Sequence, residues 1–380
     1  MCKKVISAVL CFILALPVFS IGTVALSEEE ISAPTAVLMK SETNKILFEK
    51  NAHEKRPCAS ITKVMTLLLT MEAIENNKLK LSDTLSASAH AASMGGSDIW
   101  LEEGEKMTVD DLIKATAVAS ANDAAVVLAE AISGSESGFV DEMNRRAKEL
   151  GMKDTTFKNC NGLDEEGHIT SAYDVALMSS ALIKHKKIFD YTSIWLDYLR
   201  GGKTQIVNTN KLLKTYNGIT GLKTGTTDDA GCCMSGTATR DGLSLIAVVL
   251  GCDNGTSRFA DTAALLDYGF ANYKTEELSL PKKATKTLEV KGGMTDEIRL
   301  DCAKPGSVVT SKSSSEKVVC KCKFRKDIEA PVNVGDKVGE VIYYSGKEKL
   351  KTCDIVSKDR VEKMTFSSVL TAVFNALTAL

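Results

Sequence analysis

Residues 60–74 constrain this chain more than any other stretch. Leu and Met fall on nearly every face of a helix drawn through them. Such a helix has to be enclosed on all sides rather than laid on a surface. The rest of the chain supplies the enclosure. Residues 33–48 hold two apolar runs, AVLM and ILF, around Glu42-Thr43-Asn44, which is a hairpin pattern. Thr108-x-x-Asp111 reads as a capping box before an apolar helix through Val118. A break at Ser120-Ala121-Asn122 precedes a second helix that ends at Gly134, and residues 143–150 and 171–183 predict two more. From Ile219 the period changes to two. Residues 220–224, 232–239 and 243–250 read as strands, and 257–270 as a closing helix. A hairpin, a helical middle and a late set of strands build an α+β unit, one antiparallel sheet with helices on its faces plus a helical lobe.

The chain has 380 residues, long for one ordinary domain. Past Pro281 the character shifts to short alternating runs (LEV, IRL, SVV, KVVCKCKF, VIYY) with many lysines. This predicts a catalytic-sized unit over 30–278 and a small all-β domain over 279–357. In the last segment, 358–380, Val361, Met364, Phe366, Val369, Leu370, Val373, Phe374, Leu377 and Leu380 recur at intervals of three and four. Ser and Thr fill the other face, so the segment is expected to be an amphipathic helix that lies in a membrane interface. At the other end, Lys3 and Lys4, an apolar run over 5–18 and Thr23-Val24-Ala25 read as a signal peptide over 1–25.

Net charge is -2, without the basic surplus of a nucleic-acid binder. Export would permit disulfides, but of 11 cysteines nine follow residue 25, an odd number. Cys232-Cys233 are adjacent, and Cys320-x-Cys322 lacks the two-residue gap of a zinc knuckle. Most of the thiols are read as small buried side chains; a disulfide or two remains open. No metal and no cofactor is expected.

Ser60-Ile61-Thr62-Lys63 opens the buried helix. A serine hydroxyl needs a base, and positions i and i+3 share a helix face. Lys63 can be that base if burial or a nearby cation lowers its pKa. The quartet alone means little, because Ser314-Ser315-Glu316-Lys317 has the same spacing in a polar turn of the β domain. Company separates the two. Ser120-Ala121-Asn122 lies in a helix break, and Lys223-Thr224-Gly225 lies on a predicted strand with no second Lys-[Ser/Thr]-Gly in the chain. S-x-x-K, a Ser-x-Asn and K-T-G in this order form the signature of serine β-lactamases and penicillin-binding proteins. On this reading Ser120 relays a proton to the leaving amine. Lys223 depresses Lys63 and attracts a substrate carboxylate, and Gly225 lets backbone pass close to the substrate.

With these motifs, and with the blocks PCASITKVMT, ASANDAA, NGLDEEGHITSAYDVALM and GITGLKTGTTDDAGCCMSGTA, the chain resembles the serine D-Ala-D-Ala carboxypeptidases, the low-molecular-mass penicillin-binding proteins. The resemblance covers about residues 30–357. It implies Ser60 as nucleophile, Lys63 as proton acceptor and Ser120 as a further catalytic group. It implies Asn122, Lys223, Thr224, Gly225, Thr226 and Arg258 around the substrate, with an oxyanion hole from the N–H groups of Ser60 and Thr226. It also implies peptidoglycan stem peptides as substrate, β-lactams as covalent inhibitors, and a place at the outer face of the cytoplasmic membrane. His168 is expected to be structural, and Cys232 and Cys233 to pack near the cleft. Two rival readings are a class A β-lactamase and a non-catalytic protein on the same fold. The first needs a deacylating Glu, yet no E-x-x-L-N pattern lies between Ser120 and Lys223; Glu165 and Glu166 are the nearby carboxylates. The second is at odds with an intact motif set.

Overall fold

The computed structural model describes residues 25–378. Nearly all of the expected signal segment, and Leu380, lie outside the described residues.

The strands Thr35–Lys40 and Ile46–Lys50 form the expected hairpin. Thr35–Lys40 pairs on its other side with Leu243–Cys252, placing Val37 opposite Val248. Gly231–Arg240 and then Ile219–Thr227 complete a five-stranded antiparallel sheet, with Ile219–Thr227 at its edge. Alternation splits the inner strands between two cores. Val37, Met39, Ile246 and Val248 face the helical layer, whereas Ala36, Leu38, Ala247 and Val249 face Leu265 and Leu266 of the helix Gly255–Asn272. Covered on both sides, the strand Leu243–Cys252 is apolar almost throughout and does not alternate polar with apolar.

The enclosed helix is Lys63–Glu75, and ten of its side chains, from Lys63 to Ala73, are buried. Its first turn is tighter than expected: Ala59–Thr62 is a 3-10 turn, and Ala59 sits at φ 50. Helices Asn122–Ser133, Glu136–Leu150 and Ala172–Leu182 pack around it. The second of these starts seven residues before the expected Met143, because Ser135 caps it by accepting from the Gly138 N–H. Thr108 caps Val109–Lys114 in the same way. That helix widens into a π turn over Ala115–Ala119 and stops at Ser120, whose backbone is left-handed (φ 62, ψ 28). Sequence periodicity carried no sign of the small hairpin Leu196–Leu199 with Thr204–Val207.

Residues 287–357 form their own five-stranded sheet, from Thr287–Glu289 to Glu348–Ser357, around Ile298, Leu300, Val341, Tyr343 and Ile355. Beside it, Tyr273 and Val309 pack against the core around Leu265 and Leu266, and the strand Tyr273–Glu277 pairs with Ser307–Ser311 in a two-stranded sheet. Ser314 and Lys317 are exposed in the turn that follows. The last helix is Phe366–Thr378, and Phe366, Leu370, Val373, Phe374 and Leu377 are all exposed on it. Val361 does not join them. It bridges to Val332 and is buried in the β domain. No helix among the described residues is long and apolar enough to cross a membrane.

All nine described cysteines are free. Cys58, Cys160, Cys233, Cys252 and Cys302 are buried, and Cys320 is exposed.

Candidate active site

The break before Asn122, the turn at Ser60 and the edge strand at Lys223 meet at one place. Lys63 is fully buried, and its Nζ donates to Ser60 Oγ (2.9 Å), Asn122 Oδ1 (2.6 Å) and the Asn161 carbonyl (2.6 Å). Three acceptors use all three ammonium protons. Burial nevertheless lowers its pKa from 10.5 to about 7. Loss of hydration penalises the charged form more than neighbouring groups restore it. The amine is therefore poised to accept a proton at neutral pH, and its nearest hydroxyl is Ser60. Burial, rather than Lys223, is what holds Lys63 down.

Asn122 is held from both ends. Its backbone N–H donates to Ser97 O at 2.7 Å, and its Nδ2 to Gly95 O at 2.6 Å. Ser120, itself buried, precedes it by two residues on the left-handed turn. The π turn matters here, because it shifts the register so that the chain can reverse at Ser120 and still start a new helix at Asn122.

Lys223 is 1% exposed and donates to the Thr224 carbonyl at 2.8 Å. Burial first, then the charges of Lys63 and Arg258, push its pKa well below 10.5. An anionic group entering the cleft would reverse that shift. Thr224 points elsewhere: its Oγ1 bonds Thr209 Oγ1 at 2.6 Å. Gly225 is where the strand meets the nucleophile turn. A Cβ there would lie 2.8 Å from Cys58 O and 2.9 Å from Ser60 N, so no other residue allows this approach. Arg258 holds the strand, with Nη1 3.0 Å from both Gly225 O and Thr226 Oγ1. Thr226 itself is exposed, and its hydroxyl reaches Cys232 Sγ at 3.8 Å. Cys233 lies on the opposite face of the strand, where burial raises its thiol pKa to about 12.

Three participants escaped sequence reasoning. Asn161 contributes a backbone carbonyl to Lys63, which no side-chain pattern announces; an Asn-Gly dipeptide was its one signal. Gly162, at φ 88, would place a Cβ 1.9 Å from Ala59 O. Asp123 accepts from the N–H groups of Ile99, Leu101 and Ala124, pinning the loop that carries Gly95 and Ser97. His168 touches Thr62 (2.7 Å) rather than Ser60. Glu165 and Glu166 are exposed, and Glu165 bonds Asn159 at 3.1 Å.

Residues 22–254 match the family described as D-alanyl-D-alanine carboxypeptidase, and residues 273–363 match the penicillin-binding protein 5 C-terminal domain. Over 348 residues the chain is 42% identical to the D-alanyl-D-alanine carboxypeptidase DacF of Bacillus subtilis, covering 90% of each. It is 31% identical to DacC of Escherichia coli, over 90% of this chain and 88% of the relative. Among solved structures, penicillin binding protein 5 from Haemophilus influenzae superposes with a TM-score of 0.77 at 27% identity, over 89% of this chain and 100% of that one. Penicillin-binding protein D2 from Listeria monocytogenes, in its ampicillin-bound form, gives 0.59 at 35% identity, over 64% of this chain and 100% of that one. With two domains matched in order and the relatives covered almost end to end, the chain belongs to the D-alanyl-D-alanine carboxypeptidase family.

Proposed function

We propose that this protein removes the terminal D-alanine from peptidoglycan stem peptides through an acyl-enzyme on Ser60. The observation that carries the reading is the 2.9 Å contact between Ser60 Oγ and a fully buried Lys63 whose pKa is held at about 7. Ser60 Oγ attacks the carbonyl of the penultimate D-alanine and passes its proton to Lys63. The N–H groups of Ser60 and Thr226 receive the oxyanion. The C–N bond then breaks, and a proton reaches the leaving amine through Ser120. Water cleaves the resulting ester and frees Ser60. Asn122 orients Lys63 from the opposite side to Ser60. Lys223 and Arg258 put positive charge where the substrate carboxylate is expected to sit, with the Thr224-Gly225-Thr226 backbone as its docking edge.

A β-lactam presents the same acyl chemistry, so it should acylate Ser60. The exposure of Glu165 and Glu166 leaves neither placed as a buried base for rapid deacylation, which favours a peptidase that penicillin blocks over a β-lactamase. The exposed apolar face of Phe366–Thr378 supports attachment to a membrane surface, at the outer face of the cytoplasmic membrane.

The deciding assay is release of free D-alanine from a synthetic peptide ending in D-Ala-D-Ala and from isolated muropeptides. Release from either is expected; none from both would refute the activity. Rapid penicillin turnover would instead favour the β-lactamase.

A further inference from the structure

The nucleophile turn is gripped from a side that the chemistry above leaves idle. His168 is buried, and both ring nitrogens are engaged. The Lys158 backbone N–H donates to Nδ1 at 3.1 Å, which makes that nitrogen an acceptor and leaves the ring proton on Nε2. Nε2 lies 2.7 Å from Thr62 Oγ1 and donates to it. Thr62 Oγ1 then donates to the Ala59 carbonyl at 2.9 Å. Cys58 Sγ closes the group, 3.4 Å from the Thr62 hydroxyl and 3.8 Å from Ala59 O.

The end of this chain is the peptide unit that joins Ala59 to Ser60. Its C=O and N–H lie in one plane and point in opposite directions, so a bond that fixes the oxygen also fixes the N–H. The unit needs fixing, because Ala59 is held at φ 50, a conformation that a residue with a Cβ rarely adopts. Two glycines close over it. A Cβ at Gly162 would lie 1.9 Å from Ala59 O, and a Cβ at Gly225 would lie 2.9 Å from Ser60 N.

We infer that His168 and Thr62 are positioning residues: the chain from the Lys158 N–H through His168 and Thr62 to Ala59 C=O aims the Ser60 N–H at the oxygen that becomes negative as Ser60 attacks. The inference rests on Ser60 being the nucleophile. An oxyanion donor works when it already points at the charge that develops, and it loses most of its effect when misdirected. Successive hydrogen bonds in one direction also polarise the peptide unit and strengthen its N–H as a donor. Burial lowers the His168 pKa to about 4, so the imidazole is neutral and the donor–acceptor order of the chain holds at neutral pH.

Thr62→Val removes the hydroxyl while keeping the shape, and Thr62→Ser keeps the hydroxyl. Both are compared with the full-length parent by D-alanine release and by the infrared carbonyl stretch of the penicilloyl ester. Removing a whole oxyanion donor costs on the order of 10²–10³ in kcat. Misaiming one by Thr62→Val is expected to cost about 10- to 100-fold in kcat with KM changed by less than about threefold. The ester stretch should move to higher frequency as its carbonyl loses polarisation. Thr62→Ser should recover both properties, and His168→Gln should shift both in the same direction by a smaller factor; it carries the test if Thr62→Val fails to fold. A Thr62→Val enzyme with parental kcat, a Thr62→Ser enzyme equally slow, or an unmoved stretch on a Ser60-labelled variant would each overturn the inference alone. Penicilloyl label absent from Ser60 in the parent would overturn the nucleophile assignment and this inference with it.

Discussion

Two quartets of the same spelling, Ser60-x-x-Lys63 and Ser314-x-x-Lys317, sit in this chain, and nearly everything about them differs. The first lies on a 3-10 turn that runs into an enclosed helix, with its lysine stripped of water and bonded to three acceptors. The second lies in an exposed turn of the β domain, where Ser314 Oγ accepts from the Glu316 N–H, a local turn contact. Spacing brings a serine and a lysine within reach; burial decides whether the lysine is a cation or a base.

The largest expected effect sharpens this contrast. Ser60→Ala should lower D-alanine release by on the order of 10⁴-fold or more and abolish labelling by a fluorescent penicillin, whereas Ser314→Ala should leave both unchanged. Labelling that survives Ser60→Ala would break the comparison outright. Next comes the lysine. Lys63→Met should cost about 10²- to 10⁴-fold in acylation rate, and Lys317→Met nothing. In the parent, the neutral amine is the active form, so acylation should climb about tenfold per pH unit below 7 and level off above it. A pH–rate profile without an inflection near 7 would remove Lys63 as the base.

The smallest contrast concerns the glycines that overlie each quartet. Gly162, at φ 88, abuts the Ala59 backbone, which cannot step aside. Gly346, at φ 53, abuts only the carboxylate end of Glu316, which can swing away. Gly162→Ala should therefore cost about 4 kcal/mol or more of stability, a backbone clash added to left-handed strain. Gly346→Ala should cost about 1 kcal/mol, the strain alone. Equal losses in denaturant midpoint would show that the nucleophile turn is softer than its packing implies.

What could be read from the sequence follows the range of the interactions involved. Ser60 with Lys63, and the strand at Lys223, are set by local spacing and local period, and both appear where their residues predict. So do the hairpin around Glu42-Thr43-Asn44 and the helix stop at Gly134. Backbone contributions stayed hidden: the Asn161 carbonyl serves Lys63 across 98 positions, and a carbonyl belongs to every residue type. Asp123 looked like any helix-start carboxylate, yet it organises a loop more than 20 positions earlier. The pairing of Tyr273–Glu277 with Ser307–Ser311 has no local signal, because the two strands are distant in sequence. Val361 fitted the apolar spacing of the final helix, but a bridge to Val332 claims it for the β domain.

That bridge has a mechanical consequence. Beyond Val361 the chain stays tied: Met294 N–H bonds Glu362 O, Lys363 bridges to Gly293, and Met364 N–H bonds Gly292 O at 2.8 Å. Thr365 alone then separates this seam from Phe366–Thr378, and its hydroxyl is spent accepting from the Ser368 N–H. The apolar helix therefore hangs on a hinge with almost no slack, since one residue spans at most about 3.5 Å. Whatever surface receives the helix would receive the β domain in contact with it, at a restricted tilt. The β domain would then ride on that surface as a hand on a short wrist rather than as a float on a rope.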